Sequence, residues 1–113
     1  MKWIIDFYKT KNGNCPVKKY LLSLNAKQRS KILETMEYLE TFGLNLKEPF
    51  VKHLSDKLFE LRAKDSEGIY RVIYFAAKGK RFIMLHGFTK KTQKTPRKEI
   101  DIALKRKKEF LNE

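Results

Sequence analysis

The sequence predicts an α+β protein, because apolar residues recur at helical spacing in its first half and alternate with a period of two in its second half. The expected order is a strand, two helices, three strands and a helix. We therefore expect an N-terminal strand and a two-helix hairpin packed on one face of a small, twisted, mainly antiparallel sheet, followed by a C-terminal helix. The length and the lack of a linker predict a single domain over residues 1–113.

The first strand and helix are predicted from local composition. Residues 3–8 are rich in β-forming side chains and predict a strand, which the turn-forming residues 11–14 end. Pro16 suits the first turn of a helix, with Asn14 or Cys15 as its cap. The residues that follow at helical spacing, and that are expected to face the core, are Val17, Tyr20, Leu21 and Leu24.

The second helix has clear signals at both ends. Asn25 is a favourable N-cap, and Gln28 three residues later completes a variant of the capping box. Gly43 is a natural stop signal. The side chains predicted to form the buried face of this helix are Ile32, Leu33, Met36, Leu39 and Phe42.

Three strands are predicted from alternation in residues 58–63, 68–77 and 80–88. The break at Lys78 and Gly79 predicts a tight hairpin turn between the second and third of these strands. Successive short connections of this kind indicate an antiparallel meander.

The closing helix is predicted to begin with Thr95 as its cap and Pro96 at its first position. Lysines and arginines occupy most of its other faces. The residues expected to face the core are Ile100, Ala103, Leu104 and Leu111.

Alternation also predicts which side chains share a face of the sheet. In residues 80–88, one parity comprises Phe82, Met84, His86 and Phe88. If the two helices cover the aliphatic face, the opposite face collects polar and aromatic side chains from three neighbouring strands. The group expected there consists of Glu60, Arg62, Arg71, His86 and Phe88.

The chain is strongly basic, with 26 lysines and arginines against 13 aspartates and glutamates and a formal net charge of +13. Such a charge attracts polyanions, so nucleic acid ranks first among the expected partners, ahead of an acidic protein. No membrane partner is expected, because no apolar run approaches the roughly 18 residues of a spanning helix and the charged N-terminus does not resemble a signal peptide. With Cys15 as the only cysteine, we expect a cytoplasmic protein.

Residues 68–98 contain no acidic residue. Basic side chains neutralise phosphates, and aromatic rings between them can stack on unpaired bases. The stretch therefore favours an RNA-binding surface, while a solvated face that keeps the protein soluble is the alternative. Its basic residues include Arg71, Arg81, Lys90, Lys91, Lys94 and Arg97, and its aromatic residues include Tyr70, Tyr74, Phe75, Phe82 and Phe88.

Three segments carry motifs of a known family: residues 58–62 (LFELR), 68–75 (GIYRVIYF) and 85–96 (LHGFTKKTQKTP). Together they resemble the RelE/ParE toxin superfamily, and in particular its HigB-like, phage-derived branch. The motifs match from Phe50 to the C-terminus, and the element order is similar over the whole chain.

The resemblance implies a twisted sheet with helices on one face and an RNA-cleaving groove on the other. It implies an endoribonuclease, or mRNA interferase, that cuts messenger RNA on the ribosome without a metal or other cofactor, through attack of the ribose 2′-hydroxyl. It also implies a cognate antitoxin, in this branch a helix-turn-helix, HigA-like protein, that neutralises the toxin.

Metal-free RNA cleavage needs a base for the 2′-hydroxyl, cations for the phosphorane and an acid for the leaving oxygen. Matched to the family motifs, Arg71 is expected to clamp the scissile phosphate, with Arg62 as the second candidate. One of Lys90, Lys91 and Lys94 is expected to act as acid or base, because neighbouring cations disfavour protonation of a lysine. The other two would hold RNA.

The remaining candidates depend less on the motifs. His86 suits proton transfer, although a strand histidine beside Phe88 also fits a structural role. Glu60 is expected to orient arginines rather than to act as a base. The residues expected to bind RNA outside the chemistry are Lys52, Lys90, Arg81, Phe88 and Arg97.

Two other functions remain open from the sequence, because a fold does not fix an activity. One is a ParE-like inhibitor of DNA gyrase on the same fold. The other is a non-catalytic RNA-binding protein that uses the same basic face.

Overall fold

The computed structural model describes residues 2–113, and within that range the chain folds as α+β, which confirms the predicted class. The elements lie close to their predicted positions. They are β1 (Ile4–Phe7), α1 (Pro16–Ser23), α2 (Ala26–Phe42), a 3₁₀ turn (Gly43–Asn45), β2 (Val51–His53), β3 (Phe59–Asp65), β4 (Gly68–Ala77), β5 (Arg81–Lys90) and α3 (Arg97–Leu111).

The strands form one mixed sheet in the order β1-β5-β4-β3-β2. The predicted meander of β3, β4 and β5 is antiparallel, and β1 joins the sheet parallel to β5. An unpredicted strand, β2, pairs antiparallel with β3 at the opposite edge. Its three residues are too few to display an alternating pattern.

Helices α1 and α2 pack on the same face of the sheet, α1 against β5 and α2 against β3. The core on this face is almost entirely apolar, as predicted from the helical and strand periodicities. Its buried residues include Val17, Leu21, Ile32, Met36, Leu39, Leu61, Val72, Tyr74, Phe82 and Met84.

Helix α3 packs on the other face, against β4 and β5. A second apolar cluster lies beneath it, so α3 covers part of the face on which the resemblance implied an RNA-cleaving groove. The buried residues of this cluster include Leu58, Ile73, Phe75, Ile83, Leu85, Phe88 and Ala103.

The start of α2 has the capping box predicted from its sequence. The Asn25 side chain accepts a hydrogen bond from the Gln28 backbone N–H at 2.8 Å, and the Gln28 side chain accepts one from the Asn25 N–H at 3.1 Å. Helix α1 begins after Cys15, one of the two predicted caps. The cap predicted for α3 is one residue too early, because Pro96 occupies that position.

Three residues predicted to be buried are exposed: Leu33, Phe42 and Leu111. Helical spacing defines a stripe, but the width of the stripe that is covered depends on the neighbouring element. On α2 the buried position beside this stripe is Thr35, whose hydroxyl donates to the Lys31 carbonyl oxygen at 2.9 Å.

Gly43 ends α2 for two reasons, its backbone conformation and its close contact with Trp3. Its φ of +55° is a left-handed conformation, and a Cβ there would lie 2.3 Å from Nε1 of Trp3. The Trp3 indole in turn stacks on Phe82, with ring centroids 4.2 Å apart. The end of the helix is thereby fixed against the edge of the sheet.

None of the helices within residues 2–113 combines the length and the apolar character required to cross a membrane.

Candidate functional site

A β-bulge decides which residues of β5 face the site. Ile73 pairs with His86, whereas the next residue of β4, Tyr74, pairs with Met84. Leu85 is therefore the extra residue on β5, and the alternation of side chains reverses there. Met84 points toward α1 and α2, while His86 points toward α3.

Because of the bulge, one prediction about the faces of β5 is wrong and another is confirmed. The expectation that Phe82 and Met84 share a face with His86 and Phe88 is wrong, since the first two belong to the core under α1 and α2. The predicted grouping of Glu60, Arg62, Arg71, His86 and Phe88 on one face is confirmed by the register and the contacts of these residues.

Arg71 lies in the middle of this face and is fully buried. Its guanidinium donates to the backbone carbonyl oxygens of Lys90 at 3.4 Å and Gln93 at 3.2 Å, and also to that of Thr92. The burial of Arg71 was not predicted from the sequence. Alternation assigns a residue to a face, but it does not reveal that the chain after β5 folds back across that face.

Glu60 is the carboxylate at the centre of the arrangement, and it is also fully buried. Its Oε1 lies 2.6 Å from Nε of Arg62 and 3.5 Å from Nη1 of Arg71, and its Oε2 accepts from the Thr95 hydroxyl at 2.8 Å. The Arg62 guanidinium also donates to the side-chain oxygen of Gln93 at 3.1 Å and to its carbonyl oxygen. These contacts agree with the expectation that Glu60 orients arginines. We call Glu60, Arg62, Arg71 and Thr95 the ionic cluster.

The ionic cluster holds two guanidinium groups against one carboxylate, so it carries an excess positive charge. Burial lowers the pKa of Arg71 from its ordinary value, and the charge of Glu60 opposes that shift. A guanidinium nevertheless stays protonated in proteins. The Arg71 guanidinium carbon also lies 5.6 Å from the centroid of the Phe88 ring, close enough for a cation–π contact.

The lysine segment, residues 90–94, is fixed by its backbone and by the side chain of Gln93. Three of its carbonyl oxygens point inward to the arginines of the ionic cluster. The side chains of Lys90, Lys91 and Lys94 remain exposed. The fold therefore presents three ammonium groups on a short stretch of chain that is anchored from below.

His86 lies at the contact between β5 and α3. Its Nε2 is 2.7 Å from Oε1 of Glu99, and its Nδ1 is 3.2 Å from Nη1 of Arg106. Because a guanidinium can only donate, Nδ1 is the acceptor and the ring is neutral with its proton on Nε2. Burial lowers the pKa of His86, although Glu99 opposes the shift. Arg106 also donates to the carbonyl oxygen of Leu85 at the bulge, at 2.9 Å.

Possible metal ligands do not gather here or elsewhere in residues 2–113, where no group of three or more histidine, cysteine, aspartate or glutamate side chains is placed to hold an ion.

Two further predicted residues lie beside the ionic cluster. Lys52 on β2 is partly exposed and pairs in register with Glu60, so the two side chains leave the sheet on the same side. Arg97 opens α3, three residues after Lys94, and is paired with Asp101 at 2.9 Å on the exposed side of that helix.

The other two predicted RNA-binding residues are placed differently. Arg81 lies at the opposite end of β5 from Lys90, where it pairs with Asp6 at 3.3 Å. Phe88 is buried, and its ring is stacked with that of His86 at 5.5 Å. Neither side chain joins the exposed lysines.

Three residues that were not predicted to belong to the site also build it. Gln93 and Thr95 lock the lysine segment to the ionic cluster, and both lie within the recognised motif. Tyr20 on α1 donates to the Phe88 carbonyl oxygen at 3.1 Å, and its ring occupies the space where a Cβ on Gly87 would come within 2.3 Å. Helical spacing predicted that Tyr20 faces the core, but no local signal marks its contact with Phe88, which lies 68 residues away.

A family model described as "Phage derived protein Gp49-like (DUF891)" matches residues 19–108. The match runs from α1 into α3 and includes the whole ionic cluster and the lysine segment. No curated protein matches the chain.

Proposed function

The chain belongs to the Gp49-like family of phage-derived proteins, which is a RelE/toxin-like family, and from this premise we propose that it is the toxin of a type II toxin–antitoxin pair. In this proposal residues 1–113 form a HigB-like endoribonuclease domain that acts in the cytoplasm. Its substrate is messenger RNA on the ribosome, and a helix-turn-helix antitoxin of the HigA type neutralises it.

The observation that carries the proposal is the anchored lysine segment. Arg62 and Arg71 hold its backbone through carbonyl oxygens, while Lys90, Lys91 and Lys94 stay exposed. The stretch from Gly68 to Lys98 has no acidic residue that would compete for these ammonium groups. An RNA phosphate near the segment would meet several cations carried on a backbone that is held in place before the RNA binds.

The proposed reaction is attack of a ribose 2′-hydroxyl oxygen on the adjacent phosphorus. The P–O2′ bond forms, the P–O5′ bond breaks, and the products are a 2′,3′-cyclic phosphate and a free 5′-hydroxyl. One group must take the 2′ proton and another must supply a proton to the leaving oxygen. We assign these transfers to Lys91 and Lys94, while Lys90 and Lys52 hold flanking phosphates.

The arginines have a different role in this scheme. Arg71 is a positioning residue, because its guanidinium is buried and bonded to the backbone of the lysine segment. Arg62 is partly exposed and supports Gln93 from the edge of the segment. His86 holds α3 on the sheet, since both of its ring nitrogens have partners.

The experiment that tests the proposal replaces Lys90, Lys91 and Lys94 with glutamine. The matched control replaces three exposed lysines elsewhere, Lys57, Lys78 and Lys80, which changes the net charge by the same amount. Each chain is expressed in bacterial cells, growth is followed, and messenger RNA is mapped by primer extension.

We expect the wild-type chain and the control to arrest growth and to produce discrete new RNA ends, and the triple variant of the lysine segment to do neither. Cleavage by purified protein should also persist in EDTA at a concentration at which sedimentation shows the ribosomes to be intact. An equal loss of growth arrest and of RNA ends in both triple variants would show that the activity depends on net charge and not on the lysine segment. DNA damage without RNA ends would overturn the ribonuclease and point to gyrase.

The antitoxin part of the proposal has a separate test. Each reading frame that flanks the gene is co-expressed with the wild-type chain, and growth is followed. Relief of arrest together with co-purification of the two proteins is expected. Arrest that persists beside a well-expressed neighbouring protein would contradict this part alone.

A non-catalytic RNA-binding role is the second candidate, favoured by one observation. The carboxylate of Glu60 and both ring nitrogens of His86 are already hydrogen-bonded within the fold. In the proposed reaction, both proton transfers therefore depend on the lysines. RNA binding by the purified chain without new RNA ends, in the presence of ribosomes, would support this role.

A further inference from the structure

A groove lies where the sheet edge is left open beside the lysine segment. β2 pairs with β3 only from Phe59 to Leu61, and the Arg62 N–H donates to the Phe50 carbonyl oxygen at 2.8 Å. Beyond this point, no strand among the described residues covers the outer edge of β3. Helix α2 packs against β3 at this place, and the space between them has a volume of about 510 Å³. We call this space the edge groove.

The edge groove has an apolar floor and an aromatic wall. Val51 and Ala63 are part of the floor. The rings of Tyr38 and Phe50 form part of the wall and meet edge to face, with centroids 5.4 Å apart. Both rings remain partly exposed, and aromatic faces of this kind stack on bases of any sequence.

The rim of the edge groove is mainly cationic. Among its described lining residues, four lysines and arginines stand against two glutamates. An apolar, aromatic interior with a cationic rim suits a flat heterocycle that carries a phosphate. The charged lining residues are Lys31, Lys52, Arg62 and Lys64, with Glu34 and Glu48 opposing them.

The edge groove and the lysine segment share a wall. Gln93 and Arg62 both line the groove, and the Arg62 guanidinium donates to the Gln93 side chain at 3.1 Å. Glu60 fixes Arg62 from below at 2.6 Å. A nucleotide whose phosphate contacts the lysine segment would therefore have the opening of the groove beside it.

We propose that the edge groove holds one unstacked base of a single-stranded RNA, next to the phosphate that the lysine segment binds. The volume lies within the range of about 300–1,000 Å³ that is usual for small-ligand sites. This inference rests on the proposed function, because it places a base-binding subsite beside the proposed cleavage site. Entry of the base requires that the base be unpaired, so the site selects single-stranded over double-stranded RNA.

The test measures binding of short RNA probes whose riboses carry 2′-O-methyl groups and so cannot be cleaved by 2′-hydroxyl attack. One probe is single-stranded and the other is the duplex of the same sequence. Phe50→Ala and Tyr38→Ala are compared with Phe42→Ala, an exposed aromatic residue on α2 that does not line the groove. Fluorescence anisotropy gives the dissociation constants, and thermal unfolding checks that each variant is folded.

For the single-stranded probe, Phe50→Ala and Tyr38→Ala should each raise the dissociation constant by about 5- to 150-fold, the loss of one base stack. Phe42→Ala should leave the dissociation constant within about twofold of the wild-type value. Phe50→Trp keeps an aromatic ring at this position and should bind far more tightly than Phe50→Ala. Duplex binding should be the same in all folded variants, because paired bases cannot enter the groove.

Two results would overturn the subsite. One is unchanged single-strand binding in both Phe50→Ala and Tyr38→Ala, and the other is an equal loss for single strand and duplex. Either result is compatible with RNA cleavage by the wild-type chain, so the proposed function would survive it. A wild-type chain that binds neither probe and makes no RNA ends would remove the proposed function itself.

Discussion

The two faces of the sheet are built from the same alternating strands, yet they are held together differently. Beneath α1 and α2, the buried residues are apolar and fill space, as with Leu61 and Val72. On the other face, an apolar cluster under α3 adjoins a buried carboxylate, Glu60, and a buried guanidinium, Arg71. The first face depends on packing, and the second depends in addition on the pairing of buried charges.

The difference shows what a buried charge contributes to this molecule. Apolar packing is tolerant, because side chains of similar volume can replace one another at little cost. A buried ion pair does not tolerate substitution, because the loss of one partner leaves the other as an unpaired, desolvated charge. In return, the ionic cluster fixes the backbone of the lysine segment, which apolar contacts alone would not orient. The face that carries the proposed function therefore tolerates substitution less well than the other.

The largest expected effect comes from conservative substitutions at adjacent residues on opposite faces. Glu60→Gln keeps the shape but removes the charge, and it should lower the free energy of unfolding by about 3 kcal/mol or more, because two arginines lose their counter-ion. Leu61→Met should lower it by less than about 1.5 kcal/mol. Denaturant unfolding, followed by the fluorescence of Trp3, measures both.

Glu37→Gln, an exposed change on α2, controls for the loss of a negative charge from a basic protein. Equal losses for Glu60→Gln and Leu61→Met would show that the two faces do not differ in the way described.

The next largest effect is expected where α1 packs against β5. Gly87→Ala should destabilise the protein by about 1–3 kcal/mol, because its Cβ would come within 2.3 Å of the Tyr20 ring. Combining it with Tyr20→Ala should recover part of the loss, since the clash then disappears. A double-mutant cycle on unfolding free energies measures the coupling. Strictly additive losses would mean that Tyr20 is not the obstacle.

The smallest effect is the pH dependence of the contact between α3 and the sheet. Burial lowers the pKa of His86 in the folded chain below the ordinary value of about 6.5. As pH falls through that value, the unfolded chain binds a proton first, so stability is complete above it and decreases below it. Glu99 and Arg106 are the charged groups that contact the ring.

His86→Gln should flatten this dependence, because glutamine can donate to Glu99 and accept from Arg106 without titrating. His53→Gln, at an exposed histidine, is the matched control for the loss of an imidazole. Unfolding measured from pH 5 to pH 8 separates the two variants. The same slope in His86→Gln and in the wild type would assign the titration to another group.

Local sequence signals determined much of the fold. The capping box at Asn25 and Gln28, the stop at Gly43 and the alternation in β3 and β4 each act over a few residues, so they could be read directly. The motif in residues 85–96 also indicated correctly that the family is RelE/toxin-like.

What the sequence determined by itself was the class of fold, the order of its elements apart from β2, and the family, because periodicity, capping and motifs are local properties of the chain. The tertiary structure alone decided that Leu85 forms a bulge, that Arg71 is buried, and that Tyr20 covers Gly87. Each of these depends on residues far apart in sequence meeting across the sheet. Alternation assigns a side chain to a face, but only the path of the whole chain determines what covers that face.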